Sequence, residues 1–156
     1  DWRQAVAGLF DSPGDREYLQ KIDRVTVSHA PGHRSTALLL TGWMMAQLGW
    51  KPGKKDASGI TLTTPEGGSV ALELREEGTH GVEKLVLSAG GATFQICYEN
   101  GSSFLHEEIH RPDGRDCHYL LPPGKDKLLD LFNEELWRGG KHQVYLRALD
   151  AVEELL

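Results

Sequence analysis

The sequence predicts an α+β domain: a mostly antiparallel sheet meander with a buried central helix and helices at both ends. Three observations lead there. Residues 37–48 are interrupted only by Thr41, Gly42 and Gln47, which share no stripe; a helix apolar nearly all round is one buried on every side. From residue 60 to 121 the apolar period changes to two, punctuated by the turn sequences PEGG, EGTHG, AGG, NG and PDG. The first ten and the last thirty residues carry helical spacing instead. A length of 156 residues suffices for one globular domain, 1–156, with its own core.

Residues 1–10 place Trp2, Val6, Leu9 and Phe10 on one helical face, ended by Asp11-Ser12-Pro13-Gly14. Residues 15–22 read as a short helical turn, and 23–29 as a strand with Val25 and Val27 inward. Pro31-Gly32 then turns the chain into the central helix, where Ser35 or Thr36 is expected to cap the first amides. Gly49 supplies the left-handed residue at its end, Trp50 folds back on Met45, and Pro52 stops continuation. Leu40, Trp43 and Met44 are expected to be almost fully buried. The stretch PGKKDASG reads as a loop. Six strands follow at 60–64, 69–75, 83–88, 93–99, 102–110 and 115–121, and Pro122-Pro123-Gly124 closes the sheet. Helices at 125–137 and 142–155 are separated by Gly139-Gly140; the second carries Tyr145, Ala148, Leu149, Val152 and Leu156 on one side.

The last three strands permit a register argument. Asn100-Gly101 is the signal for a two-residue hairpin, pairing Glu99 with Ser102 and therefore Ile96 with Leu105. Pro112-Asp113-Gly114 fits a three-residue loop that pairs Ile109 with Cys117. Both put Phe94, Ile96, Tyr98, Leu105, Ile109, Cys117, Tyr119 and Leu121 on one face. The other face then holds Gln95, Cys97, Glu99, Phe104, His106, Glu108, His110 and His118.

A net charge of −6 argues against nucleic acid or an anionic membrane as the main partner. No apolar run reaches membrane length, and no signal peptide is expected from these residues. Two cysteines in a chain this size make no secreted disulfide framework, so the expectation is a reducing cytoplasm. Asp1 stands where Met would begin a chain and already belongs to an amphipathic pattern, which reads as the start of a domain within a longer protein.

Several residue patterns carry possible chemistry. His106-Glu107-Glu108-Ile109-His110 matches H-E-x-x-H, a zinc-hydrolase signature that needs a helix to bring both histidines to one metal. Between two turn signals it reads as a strand instead, with the histidines roughly 13 Å apart along the backbone. A different metal site using His106, Glu108, His110 and His118 competes with a polar, half-solvated sheet face. Cys97 and Cys117 fall on opposite faces, so no disulfide joins them. His33, Arg34, Ser35 and Thr36 open a helix after a strand, a place where amides bind anions such as phosphate, or simply a capped turn. No cofactor loop and no nucleophile–base set is visible, so no cofactor is expected.

Three segments resemble the C-terminal half of the glucose-6-phosphate dehydrogenase assembly protein family, OpcA: DWRQAVAGLFDSP with REYLQKIDRVTVSHA, the central ALLLTGWMMAQLGW, and the closing LLDLFNEELWRGGKHQVYLRALDAVEELL. The region between about residues 54 and 123 matches in spacing and hydrophobicity. The resemblance implies a non-enzymatic bacterial partner of glucose-6-phosphate dehydrogenase, the first enzyme of the oxidative pentose phosphate pathway, and a role in that enzyme's assembly or active state. In cyanobacterial relatives cysteines are linked to redox control. For such a contact role, Phe104, His106, His110 and His118 on the outer sheet face and Trp137-Arg138 at the helix break are the candidate anchors.

Overall fold

The computed structural model describes residues 2–56, 59–98, 104–122 and 143–156. Its strands are β1 (Ile22–His29), β2 (Lys51–Asp56), β3 (Gly59–Thr63), β4 (Ser69–Glu76), β5 (Lys84–Ala89), β6 (Ala92–Tyr98), β7 (Leu105–His110) and β8 (Cys117–Leu121). They form one eight-stranded sheet in the order β2-β3-β4-β1-β5-β6-β7-β8. The helices are α1 (Trp2–Gly8), α2 (Pro13–Arg16), a 3₁₀ turn Leu19–Lys21, α3 (Arg34–Leu48) and α4 (Gln143–Glu153). The α+β expectation holds. The meander is split, however: β1 is inserted between β4 and β5, parallel to the first and antiparallel to the second.

One face of the sheet is covered. The registers align Leu72, Val25, Leu87, Phe94 and Ile109 across five strands, and all are buried. α1, the turn after it and the turn after α2 press on this face through rings: Phe10 and Tyr18 lie 4.8 and 5.5 Å from Phe94, and Trp2 meets Tyr98 edge-on at 5.9 Å. Such aromatic contacts add about 0.5–1.5 kcal/mol each beyond the area they bury.

α3 is buried as its sequence requires, against the sheet on one side and α4 on the other. Gly42 makes that second contact possible, since a Cβ there would stand 2.4 Å from the Ala148 carbonyl oxygen. Leu40 and Met44 are buried, whereas Trp43 is only half-buried against the edge of the core. The C-terminal end is as expected: Gly49 has φ +68°, and the Trp50 amide donates to the Met45 carbonyl at 3.0 Å. The N-terminal end differs. The helix already begins at Arg34, ahead of where a Ser35 or Thr36 cap would place it, with His33 at the cap position and no side-chain cap bond.

Three further expectations are corrected. Most of the segment read as a loop, PGKKDASG at 52–59, belongs to an edge strand, Lys51–Asp56, that pairs with β3. Only one side of an edge strand must be satisfied, so Pro52 and the break in register between Pro52 and Lys55 are tolerated there. In α4 the packed positions are Ala148 and, just past its end, Leu155, with Ala151 and Val152 beside the core, while Tyr145, Leu149 and Leu156 are exposed. The close crossing at Gly42 rotates the helix to present its smallest residues. Finally, β6 and β7 pair Tyr98 with Leu105, Ile96 with Glu107 and Phe94 with Ile109, two residues from the tight-hairpin register. A slip of two preserves every side chain's face, so the apolar pattern fits both. The observed pairing sets Phe94 beside Ile109; the tighter one would have set it beside Glu107. The β7–β8 register, with Ile109 opposite Cys117 and Gly114 at φ +76°, is the one expected. The helix expected at 125–137 lies outside the described residues, and the one at 142–155 is α4.

Candidate functional site

Among the described residues no helix covers the opposite face of β6, β7 and β8, and its side chains follow from strand alternation. One row across the strands runs Val86, Gln95, Glu108, His118; the next runs Lys84, Cys97, His106, Leu120. The Gln95 amide donates to Glu108 at 3.0 Å. Glu108 lies 3.8 Å from both His110 and His118, whose rings meet edge-on at 5.9 Å. His110 is also held by Asp116 at 2.9 Å. That hydrogen bond, and the charges of Asp116 and Glu108, hold the His110 pKa above the ordinary histidine value. Phe104 lies just before β7 with its ring partly exposed.

The structure therefore brings His106, Glu108, His110 and His118 onto one open face, with Phe104 at its border. Trp137 and Arg138 lie outside the described residues. His106 and His110 stand on a strand, so the helical zinc-hydrolase arrangement is not formed. Among the described residues no group of three or more His, Cys, Asp or Glu side chains is placed to hold a metal ion. His33, Arg34, Ser35 and Thr36 are all exposed at the start of α3, and among the described residues no orphaned buried polar atom is turned toward them. Cys97 and Cys117 fall on opposite faces, and neither forms a disulfide.

Two features of the covered face escaped the residue-level reading. Arg111, just past β7, donates twice to the buried carboxylate of Asp15 in α2, at 2.9 and 2.8 Å. It also lies 3.3 Å from the Cys117 thiol, and with Tyr119 it holds that thiol's pKa below the usual cysteine value. These residues border a cavity of about 550 Å³ between the α2 region and β8, also lined by Tyr18, Lys21 and Arg115. The second feature is Glu107. It is 5% exposed, flanked by Ile96 and Tyr119, and its Oε1 has no hydrogen-bond partner among the described residues. Burial, and secondarily the Asp11 carboxylate, push its pKa up to about 7. Period-two reading could have found it, because Glu107 lies between inward Leu105 and Ile109.

With this geometry in place, the chain can be set beside known proteins. The family model for the C-terminal domain of the glucose-6-phosphate dehydrogenase subunit matches residues 1–149. The chain belongs to this family. A protein of Nostoc punctiforme named as putative OxPP cycle protein OpcA is 41% identical over 51 residues, which are 33% of this chain and 11% of that protein. UDP-N-acetylglucosamine 3-dehydrogenase from Acidithiobacillus ferrooxidans shares the fold, with a TM-score of 0.51 at 13% identity over 94% of this chain and 57% of its own. The matched region is thus a fraction of both relatives' length, and the likeness to the dehydrogenase concerns fold alone. Among the described residues of this family member, no helix is long and apolar enough to cross a membrane.

Proposed function

We propose that this domain acts by contact in the cytoplasm, as the C-terminal part of a non-enzymatic protein that assembles or activates glucose-6-phosphate dehydrogenase in the oxidative pentose phosphate pathway. The observation that carries the reading is the family match across residues 1–149. An activator must bind its partner's active state more tightly than the inactive one, by about 1–3 kcal/mol for a typical allosteric effect. A few anchors in a modest interface supply such a difference. The open face of β6–β8 offers them in Phe104, His106, His110 and His118, with His110 and His118 steadied by the Asp116 and Glu108 contacts. Trp137-Arg138 remains a second candidate from sequence.

The test is to mix the purified full-length protein with its cognate dehydrogenase and follow NADP reduction with glucose 6-phosphate. Co-purification together with a raised turnover or a lowered KM is the expected result, while the protein alone oxidises nothing. No association at micromolar concentrations and an unchanged dehydrogenase would sink the reading.

A further inference from the structure

Among the described residues, Glu107 Oε1 is the only buried side-chain nitrogen or oxygen without a hydrogen-bond partner. Glu107 sits on β7 between buried Leu105 and Ile109, with Ile96 opposite on β6 and Tyr119 opposite on β8. Its roof is the last turn of α1. A Cβ at Gly8 would stand 3.8 Å from Oε1, so helix and carboxyl are in ordinary contact.

The charged groups around this contact do not favour an ionised carboxyl. The turn after α1 brings a second carboxylate, Asp11, whose charge acts on Glu107. α1 turns toward it the helix end whose carbonyls carry partial negative charge. The nearby cations of the covered face are engaged elsewhere. Arg111 bonds Asp15 at 2.9 and 2.8 Å, and Arg16 donates to the Phe10 carbonyl at 3.4 Å. Arg3, on α1 itself, is exposed. On β8 the Tyr119 side chain is hydrogen-bonded to Cys117. A proton on Glu107 removes the conflict, and losing it restores both the repulsion and the cost of a buried charge.

α1 is the element placed to yield. Its seven residues are too few to persist as a helix alone. It is held by Ala5 and Val6, by Leu9 and Phe10 just past its end, and by the Trp2–Tyr98 ring contact. β7, in contrast, is held by backbone ladders on both sides. Water therefore reaches an ionised Glu107 at least cost by lifting the end of α1, which leaves both ladders intact.

We propose that Glu107 and the end of α1 form a proton-dependent latch: with Glu107 protonated, α1 and the turn through Asp11 lie on the sheet, and its ionisation loosens them locally while α3 and the sheet stay folded. The latch goes beyond the contact with the dehydrogenase and stands or falls separately from it. The folded-state pKa of about 7 exceeds the ordinary 4.5. The closed latch thus holds a proton that the open one releases, and closure weakens as pH rises. If Glu107 recovers its ordinary pKa when α1 lifts, the open fraction grows about tenfold between pH 6 and pH 8.

The test is amide hydrogen exchange of the full-length protein at about pH 6, 7 and 8, read by mass spectrometry and corrected for the intrinsic pH dependence of exchange. The peptide of interest covers residues 2–11, where the Leu9, Phe10 and Asp11 amides bond the Ala5, Ala7 and Gly8 carbonyls. Its protection should fall about tenfold across that range, while peptides from α3 and β5 keep theirs. Glu107→Gln and Glu107→Leu should each abolish the fall. The competing titratable group is His80, which stacks at 4.6 Å on the Tyr98 ring that Trp2 also touches; His80→Gln should leave the fall in place. The proposal is overturned by protection at 2–11 that ignores pH in the parent, that falls as much in the Glu107 variants, that falls together with α3 and β5, or that stops falling in His80→Gln. Dehydrogenase binding plays no part in this readout, so the functional reading is tested apart from it.

Discussion

The two faces of β7 show how differently the same strand is held on its two sides. Leu105 and Ile109 point into the helix-covered core, while His106, Glu108 and His110 point onto the open face, with no described helix over them. On the covered face stability comes from apolar area removed from water. On the open face it comes from backbone pairing, and the side chains stay partly in water. Glu107 violates the division, being a carboxylate on the covered face with an oxygen that no described group satisfies. A buried unpaired polar group of that kind costs about 1–3 kcal/mol.

The largest test of the division is on the covered face. Phe94→Ala removes a fully buried ring packed by Phe10 and Tyr18, and should cost about 3–5 kcal/mol in chemical denaturation. Leu40→Ala in α3 should cost about 2–5 kcal/mol for the same reason. A cost below 1 kcal/mol (roughly the surface-substitution range) at both sites would mean that this face is not the core.

Glu107 sharpens the comparison through pH. Its folded pKa, about 7, exceeds the ordinary value of 4.5. Between those values the folded chain holds the proton that the unfolded chain has lost. Its contribution is therefore intact below about pH 4.5 and is lost as pH rises toward 7 and beyond. Glu107→Leu should accordingly raise stability at pH 8 by about 1–3 kcal/mol, raise it less at pH 5, and flatten the melting-temperature profile between. Equal gains at both pH values would show that the carboxyl is not the titrating group.

Gly42→Ala probes the helix layer above the sheet. The added Cβ would press on the Ala148 carbonyl, so about 1–3 kcal/mol of overpacking is set against about 1 kcal/mol of regained helix propensity. A net loss is expected on thermal melting, and a net gain would show that α4 can move aside. The smallest effect belongs to the open face. His106→Ala and His118→Ala should change stability by less than about 0.5 kcal/mol while weakening co-purification with the dehydrogenase. A large loss of stability from either would place them with the core.

Much of the local architecture was legible because its causes are local. The three-residue turn at Pro112-Asp113-Gly114 needed only a glycine able to adopt φ +76°, and the end of α3 only Gly49 and Trp50 in their places. Strand alternation sorted the histidines from the core, although Glu107 was passed over within a run that reads as polar. The family was legible too, from segments rather than from any catalytic motif.

What tertiary structure decided depended on contacts between distant parts of the chain. Nothing near β1 says that it inserts between β4 and β5, because strand order is settled by which partners bury most together. The β6–β7 register was open to a slip of two, since local alternation is blind to it, and packing of Phe94 against Ile109 resolved it. α4 turned its small residues inward because Gly42 lets two backbones approach more closely than leucines would allow. An edge position likewise made a strand of the Lys- and Gly-rich segment at 51–56, which has little strand propensity of its own.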